Sequence, residues 1–516
     1  MRDDIIAERK RKLALLRERG IDPYPAVSHR THTLASLIAA FDTCEQSGET
    51  VTVAGRSMSI RGQGGLSFVD LYDGTGRFQA VFKQDELSAE QFALFGEVVD
   101  QGDILEVSGT LFTTKRGQQS VLVKEWRMLT KSLRPLPDEW YGIKDEDERY
   151  RKRYLDILLN ADRKVMFEKR SHFWRTIRDF MYARDFIEVE TPVLENVTGG
   201  AEARPFVTHH HALDIDVYLR ISAGELWQKK LMVAGMSKTF EIGRIFRNEG
   251  MSYEHAQDYT QLEFYEAYAD FSHGRRTIVD LYRTIAQEVF GTTRFTIRGM
   301  EVDLVHEWEM IDFCTIIHER YGIDPLTVTR EAVHRTLAEH DISFSPDETD
   351  IGRGVDLLWK QIRKSVAGPA FLIGVPVYLE PLAKRDPARL EVVERFQVIL
   401  AGTEMGKGFS ELNDPDDQRE RFLAQQALRD AGDEEAQMAD MDFVEALEYG
   451  MPPTFGFGVS ERLFSFLMDV SIREAQLFPL MRPNPFRLQA GAGTFELNAN
   501  DVNTPANNKN NDTPPR

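Results

Sequence analysis

Apolar and polar residues follow a helical spacing at the start of the chain and then change to alternation. Over residues 3–19, Asp3 and Asp4 suit the positive end of a helix, while Gly20 and Pro23 follow its end. Alternating runs predict strands at 51–55, 66–72, 77–82, 104–112 and 120–129. Five short strands in succession predict a small closed barrel, and the commonest five-stranded form is the oligonucleotide-binding (OB) barrel.

A different pattern begins after Pro-Leu-Pro at 135–137. Helical periodicity runs over 150–184, and apolar strand-like runs at 239–245, 370–377 and 454–459 then alternate with long helices. This mixture predicts an α+β domain built on an antiparallel sheet with flanking helices. We therefore expect five regions: a helical extension over 1–50, the barrel over 51–134, a linker over 135–149, the α+β domain over 150–484, and a disordered Asn- and Pro-rich tail over 485–516.

Composition narrows the class of protein. The 516 residues are 42% hydrophobic and 28% charged, which excludes wholesale disorder, and the net charge of −20 argues against nucleic-acid binding through bulk charge alone. Residues 411–450 hold thirteen acidic against three basic side chains, so basic surfaces remain possible elsewhere. Cys44 and Cys314 lack metal-type spacing, and no segment reaches the roughly 18 apolar residues of a membrane span. We expect a cytoplasmic protein with no membrane partner.

The densest group of charged residues follows one apolar strand. Residues 240–250 read FEIGRIFRNEG, and His255 and the run QLEFY at 261–265 come after it. Buried charges cost several kcal/mol unless they are paired, so this segment is badly suited to core packing. It indicates a site for a polyanion. A cross-strand ladder of Arg–Glu ion pairs is the alternative.

Six motifs together resemble the class II lysyl-tRNA synthetases, and the resemblance covers about residues 1–483. FIEVETP at 186–192 is similar to the first class signature, whose proline lies at the dimer interface. FRNE at 246–249 matches the second signature, and GFGVSER at 456–462 resembles the third. The segments GGAEARPF at 199–206, THH at 208–210 and GFSELND at 408–414 resemble the lysine branch. Their order along the chain makes the resemblance specific.

The resemblance implies how ATP is held. Amino-acid activation brings a carboxylate to the α-phosphate and expels pyrophosphate, so negative charge must be stabilised at both ends of the triphosphate. By resemblance, Arg247 contacts the α-phosphate and the lysine carboxylate, and Arg462 clamps the γ-phosphate. The other implied contacts are Glu249 to the adenine amino group, Tyr259 to the adenine ring, His255 to the phosphates, and Glu404 to Mg²⁺. For His255, an ordinary surface position is the alternative.

The resemblance also implies an acidic pocket for the substrate. A long aliphatic chain ending in an ammonium needs desolvated carboxylates to replace its water. Glu225 and Glu411, with Tyr265, match the family positions that hold the ε-amine of lysine. Gly200 would lie beside the α-amino group, and Phe409 would pack on the aliphatic stem, a role compatible with a place in the core.

Two positions of the α+β domain depart from the family pattern. Lys407 stands where the family usually has Asn, and it should weaken lysine binding unless it points away or pairs with a carboxylate. Gln397 replaces a usual magnesium-binding Glu, which leaves Glu404 as the clearer metal ligand and predicts fewer magnesium sites.

The barrel is the implied reader of the tRNA anticodon. Barrels of this type stack unpaired bases on aromatic side chains. Phe68 matches the family's stacking position, and Arg77 and Gln79 lie on an adjoining predicted strand. Gln118 stands where a base-contacting Glu is common; an amide both donates and accepts, so we expect contact with altered discrimination.

These observations predict ATP-dependent attachment of L-lysine to tRNA(Lys) through lysyl-adenylate, by a homodimer that uses Mg²⁺. One alternative is a ligase of the same fold that lysylates a protein, although family relatives of that type lack the barrel. Another is a regulatory RNA-binding paralogue, disabled by Lys407 and Gln397. The retained residues Arg247, Glu249, Glu404, Glu411 and Arg462 argue against that reading.

Overall fold

The chain forms two compact units, Met1–Lys164 and Val165–Arg516, in a computed structural model. The structure describes residues 2–137, 143–201, 203–347, 349–433 and 435–483. Part of the predicted linker and the predicted disordered tail lie outside the described residues. None of the described helices combines the length and apolar character that crossing a membrane requires.

The first unit contains the predicted barrel. Its strands close in the order β1-β2-β3-β5-β4, with β3 and β5 parallel and the other recorded pairs antiparallel. In chain order its elements are α1 (Arg2–Glu18), α2 (Leu34–Ala39), α3 (Phe41–Ser47), β1 (Val51–Gln63), β2 (Leu66–Tyr72), β3 (Arg77–Lys83), α4 (Ala89–Val98), β4 (Ile104–Thr113), β5 (Gln119–Thr130), α5 (Glu146–Arg151) and α6 (Arg153–Leu159).

Strand β1 is much longer than the predicted 51–55. Its first part pairs with β4 and its second part with β2, with a register irregularity between Ser57 and Ser59. The second part has only two apolar residues, Met58 and Ile60, among Arg, Ser, Gly and Gln, so its apolar alternation is too short to predict a strand. Because β1 pairs with β4 along its first part and with β2 along its second part, the strand continues beyond the residues whose pattern predicts it.

The second unit holds the α+β domain. Its elements, in chain order, are α7 (Ala161–Tyr182), β6 (Ile187–Glu188), β7 (Leu194–Glu195), β8 (Val207–His210), β9 (Ile215–Leu219), α8 (Glu225–Val233), β10 (Lys238–Phe246), β11 (Asp258–Ala267), α9 (Phe271–Ile285), β12 (Arg294–Ile297), β13 (Met300–Asp303), β14 (Glu309–Asp312), α10 (Phe313–Tyr321), α11 (Arg330–Glu339), α12 (Ile351–Ile362), β15 (Ala370–Ile373), β16 (Arg385–Asp386), β17 (Arg389–Val393), β18 (Arg395–Leu400), β19 (Thr403–Ser410), α13 (Pro415–Asp430), α14 (Met441–Glu448), β20 (Thr454–Ser460), α15 (Arg462–Leu467) and α16 (Ile472–Ala475).

One predicted strand of this unit is shorter than expected. The apolar run 370–377 leaves the sheet after Ile373, because Gly374 has φ +67° and Pro376 cannot donate to a ladder. A 3₁₀ turn, Val377–Leu379, follows. The end of this strand could have been predicted from Gly374 and Pro376 in the sequence.

Eight strands form the central sheet, in the order β14-β15-β18-β19-β20-β11-β10-β6. The six inner strands pair antiparallel, whereas the edge strands β14 and β6 pair parallel with their neighbours. This confirms the predicted α+β class. The long inner strands β10, β11, β19 and β20 carry the polar motifs identified in the sequence.

The two faces of this sheet differ sharply in character. Phe240, Phe264, Phe396, Phe455 and Phe457 are buried together with side chains of α7 and α9. Since successive side chains of a strand point to opposite faces, the residues between these aromatics point the other way. That opposite face carries the polar residues of the candidate site.

Candidate active site

A cavity of about 620 Å³ lies on the polar face of the central sheet. Every residue that the sequence predicts for catalysis, ATP, lysine or metal in the second unit lines this one cavity. They are Gly200, Glu225, Arg247, Glu249, His255, Tyr259, Tyr265, Glu404, Phe409, Glu411 and Arg462. The structure thus brings together groups that are up to 262 positions apart in the chain, from Gly200 to Arg462.

Among the arginines that line this cavity, the two predicted to bind phosphate come from separate elements. Arg247 directly follows β10; its Nε donates to the backbone oxygen of Ile221 at 3.3 Å, and its guanidinium lies 5.9 Å from the centroid of the Tyr259 ring. Arg462 begins α15, and its Nη2 donates to the backbone oxygen of Glu404. Planar guanidinium groups bind phosphate through paired hydrogen bonds, so the two together suit a polyphosphate.

Charged residues of the 240–250 segment serve two different purposes. Glu241 is buried in an ion pair with Arg220, whose Nη1 lies 2.5 Å from Glu241 Oε1, and Arg244 pairs across the strands with Asp258. Arg247 instead lines the cavity. The ion-pair alternative therefore describes the first part of the segment, and the polyanion interpretation fits its end.

An acidic residue beside Arg462 was not predicted from the sequence. Glu254 Oε1 accepts from Arg298 at 2.6 Å, and its Oε2 lies 3.7 Å from Arg462 Nη1. Next to it, burial and then the charge of Arg462 lower the pKa of His255, so its imidazole is neutral near pH 7. A neutral ring can still donate one hydrogen bond to a phosphate.

Glu404 is held as an ionised carboxylate. Trp359 Nε1 donates to its Oε1 at 2.9 Å. Burial alone would raise the pKa of Glu404, but the charges of Arg363 and Arg395 and the bond from Trp359 keep it below its ordinary value. Gln397, where the family has a second carboxylate, accepts instead from Arg395. One ionised carboxylate in the same cavity as Arg247 and Arg462 fits Mg²⁺, which takes most of its ligands from phosphate and water.

The predicted lysine-binding residues form a buried acidic pocket. Glu225 begins α8 and Glu411 directly follows β19, and both side chains are buried, as are Tyr265 and Phe409. Glu411 Oε1 has no hydrogen-bond partner among the residues that the structure describes, whereas Oε2 lies 2.5 Å from Lys229 Nζ. A buried carboxylate oxygen without a partner costs energy, so it indicates a place for a ligand that donates hydrogen bonds.

Glycines make room for these carboxylates. A Cβ on Gly456 would lie 2.1 Å from Glu411 Oε1 and 2.6 Å from the Tyr265 ring. Gly200 has φ +87°, and a Cβ there would lie 2.7 Å from the Cβ of Glu225. At both positions the backbone lies so close to the pocket residues that a side chain would not fit, which explains why glycine occurs there.

A third carboxyl group in the pocket was missed in the sequence. Glu263 Oε1 accepts from the backbone N–H of Ala223 at 2.8 Å, and its Oε2 accepts from the Tyr265 hydroxyl at 3.1 Å. Burial and the charge of Glu225 raise the pKa of Glu263 to about 7. Burial likewise raises the pKa of Glu411 to about 8. The available signal was the spacing of Glu263 and Tyr265, which places both on one face of a strand.

Lys407 pairs with a neighbouring carboxylate. Its Nζ lies 3.2 Å from Glu380 Oε2, while Arg395 Nε lies 2.8 Å from Glu380 Oε1. This is one of the two conditions under which the sequence predicts that a cation at this position leaves lysine binding intact. Glu380 was not identified from the sequence as its partner.

The four predicted anticodon contacts lie on the barrel. Phe68 of β2 is half-buried and stands opposite Val81 of β3 and Arg61 of β1. On β3, Gln79 accepts from Ser120 Oγ at 2.9 Å. Arg77 at the start of β3 is exposed, as is Gln118 just before β5. An accessible ring with polar side chains on the next strand suits stacking and edge recognition of unpaired bases.

Comparison with known proteins agrees with this geometry. Residues 145–482 match the family model described as tRNA synthetases class II (D, K and N). The chain belongs to this family. Residues 51–129 match the model described as an OB-fold nucleic acid binding domain. The barrel and the α+β domain thus each match a family model, and the predicted fold class is confirmed.

Synthetases named lysine–tRNA ligase are similar to the chain over nearly its whole length. The one from Fervidobacterium nodosum is 43% identical over 488 residues, covering 94% of this chain and 95% of the relative. The one from Thermosipho africanus is 42% identical over 93% of this chain and 96% of the relative. The one from Roseiflexus castenholzii is 43% identical over 93% of this chain and 99% of the relative.

The shifted pKa values predict that an ammonium ligand displaces a proton. Near pH 7 the free pocket retains protons on Glu263 and Glu411, whereas a bound ammonium favours their ionised forms. The affinity for L-lysine should therefore rise about tenfold from pH 6.5 to 8.5, before the ligand's own amine loses its proton near pH 10.4. Calorimetry without ATP, in buffers of different ionisation enthalpy, measures both the affinity and the proton release.

The prediction is tested by whether binding releases protons and whether the affinity rises with pH. Binding that releases no proton and does not change over this pH range would mean that these two carboxyl groups do not face the ligand's ammonium. Proton uptake would contradict the assignment more strongly, because it requires a group that is more basic in the complex.

Proposed function

We propose that the chain activates L-lysine with ATP to form lysyl-adenylate and then transfers the lysyl group to tRNA(Lys). One observation carries this proposal: the buried carboxylates of Glu225 and Glu411 share a cavity with the two arginines that suit a triphosphate. Membership of the class II synthetase family and the similarity to lysine–tRNA ligases support it. The acidic pocket selects the amino acid, and the arginines support the chemistry.

The substrate lies with its ammonium in the acidic pocket. Glu225 and Glu411 accept hydrogen bonds from the ammonium, and Tyr265 lies beside them. The aliphatic stem packs on Phe409, and the α-amino group lies beside Gly200. Aspartate or asparagine would leave the buried carboxylates without a cation, and that cost discriminates against them.

Activation is an in-line displacement at the α-phosphate. A carboxylate oxygen of lysine forms a bond to the α-phosphorus, the bond from phosphorus to the bridging oxygen breaks, and pyrophosphate leaves with that electron pair. Arg247 stabilises charge at the α-phosphate, and Arg462 holds the γ-phosphate. Glu249 accepts from the adenine amino group, Tyr259 stacks on the ring, and neutral His255 donates to a phosphate. Positioning and electrostatics supply the rate, with no covalent enzyme intermediate.

Glu404 is the residue that would hold Mg²⁺. Its carboxylate is ionised and lines the same cavity as Arg462. When bound, the ion neutralises charge on the triphosphate and on the departing pyrophosphate. The Trp359 hydrogen bond keeps the carboxylate oriented for this role.

The second step transfers the lysyl group to the tRNA. A hydroxyl of the 3′-terminal ribose attacks the carbonyl carbon of lysyl-adenylate, and AMP leaves.

The barrel recognises the tRNA in this proposal. Phe68 stacks on an anticodon base, while Arg77, Gln79 and Gln118 contact base edges or phosphates. Binding and chemistry are thus assigned to different units of the chain.

We also propose that the protein acts as a homodimer in the cytoplasm. Large apolar side chains are exposed between 187 and 227, where a monomer would leave them in water: Ile187, Val193, Leu194, Val197, Val207, Leu213, Ile215 and Trp227. A second copy is the occupant that the first class signature suggests. Both cysteines are buried and free, as suits a reducing compartment.

Replacing Arg462 tests the chemistry. Arg462→Ala should slow lysine-dependent ATP–pyrophosphate exchange by about 10²–10³-fold, because a preorganised charge at the phosphates is lost. Binding of tRNA should change less than about twofold, because the barrel is a separate unit. The matched control is Arg244→Ala, which removes an arginine that pairs with Asp258 and does not line the cavity. Equal loss of exchange and tRNA binding would make Arg462 a structural residue.

Replacing Phe68 tests the division of labour. Phe68→Ala should lower kcat/KM for tRNA charging about 5- to 150-fold, which corresponds to the roughly 1–3 kcal/mol of one base stack. Pyrophosphate exchange without tRNA should stay at the level of the unmodified protein. A parallel fall in exchange would contradict the assignment of tRNA reading to the barrel.

The exposed apolar surface predicts the oligomeric state. Light scattering should give twice the mass of one chain, and Leu194→Asp should shift the protein towards monomer by burying a charge at the contact. The control is Leu423→Asp, at an equally exposed leucine on α13. A monomeric unmodified protein would refute the dimer.

A further inference from the structure

A lysine of the chain itself lies beside the acidic pocket. Lys229 stands one turn after Glu225 on α8, and its side chain is only 1% exposed. Its Nζ lies 2.8 Å from Glu225 Oε1 and 2.5 Å from Glu411 Oε2. These are the two carboxylates proposed to hold the ammonium of the substrate. A built-in cation therefore bridges them.

Lys229 reaches the carboxylates from behind. Glu225, Glu411, Tyr265 and Phe409 line the cavity, whereas Lys229 is not among the described residues that line it. Its Nζ lies 5.4 Å from the ring centroid of Phe409 and 5.9 Å from that of Phe443, a buried residue of α14. The ammonium is thus packed among aromatic rings, outside the lining of the cavity. A substrate ammonium would approach the same carboxylates from the cavity.

Buried carboxylates need such a partner. Glu225, Glu263 and Glu411 place three carboxyl groups in one dry region, where like charges repel and ionisation is costly. Burial alone would lower the pKa of Lys229, but the charges of Glu225 and Glu411 raise it above its ordinary value. Lys229 therefore stays protonated. Its positive charge compensates negative charge in the pocket and opposes the protonation of Glu411.

We propose that Lys229 is a positioning residue for substrate selection, which bridges Glu225 and Glu411, orients both carboxyl groups towards the substrate ammonium and favours the ionised form of Glu411. This inference rests on the proposed lysine activation. Lys229 does not contact the substrate; it acts through the two carboxyl groups. With Lys229 as the one internal cation between two carboxyl groups, one further ammonium balances their charge, and L-lysine supplies it.

The expected effect of removing the Lys229 charge depends on the ionisable groups around it. Glu225 lies on its own helix, Glu263 and Tyr265 are on β11, and Glu411 follows β19. Without the internal cation, Glu411 should retain its proton to higher pH, and the pocket should bind an ammonium poorly near pH 7. Raising the pH should ionise Glu411 and restore binding. A residue that only fills space would not produce this pH dependence.

The test is Lys229→Met, which keeps an unbranched side chain and removes the charge. In ATP–pyrophosphate exchange at pH 7, we expect the KM for lysine to rise at least about tenfold, equivalent to a shift of one pH unit in the pocket's titration. The KM for ATP should stay within about twofold. The lysine defect should shrink steadily as the pH is raised to 9. The matched control is Lys230→Met, since the next residue of the same helix faces Asp440 and the Trp227 ring instead.

Two results would overturn the inference: an unchanged lysine KM, or KM values for lysine and ATP that rise together at every pH. If Lys229→Met does not fold, Lys229→Gln, which keeps a donor without the charge, is judged by the same criteria. Lys229→Arg should retain the pH dependence of the unmodified protein. Absence of lysine-dependent exchange in the unmodified protein would instead refute the proposed function, so the two failures are distinguishable.

Discussion

The burial of carboxylates beside one internal ammonium is the constraint on which the candidate site depends. Glu225 and Glu411 are removed from water, and they lie against Lys229 at hydrogen-bonding distance. Charges in such a place stay ionised only when they are compensated. The pocket therefore combines strong attraction for a further cation with a high cost of leaving the carboxylates unmatched. In our account, this balance is the source of amino-acid selection.

The central sheet makes this arrangement possible because its two faces have opposite character. Phenylalanines on one face supply a continuous apolar core, so the other face is free to carry charge. Gly456 leaves space for Glu411 and Tyr265 on neighbouring strands. The same sheet carries Arg247 at the end of β10 and Arg462 just after β20. Selection of the amino acid and binding of a polyphosphate thus share one rigid support.

Much of this organisation could be predicted from the sequence. The period-two runs located all five barrel strands, and the order of the motifs predicted which residues would meet in one cavity. The extent of β1 could not be predicted, because its second half has only Met58 and Ile60 as apolar residues and is specified by pairing with β2. Nor could the partners of Glu411, Glu241 and Lys407 be predicted. Lys229, Arg220 and Glu380 look like ordinary charged residues until the fold brings each pair together, since ion pairing between distant segments leaves no periodic signal.

In the proposed function, an acidic pocket and a polyphosphate site act together to activate lysine. ATP–pyrophosphate exchange with the purified protein and Mg²⁺, measured with each of the twenty amino acids in turn, tests this cooperation. We expect exchange with lysine and none above background with the other nineteen. Exchange with a different amino acid would contradict the assignment of the pocket, and silence with all twenty would contradict the proposed activation itself.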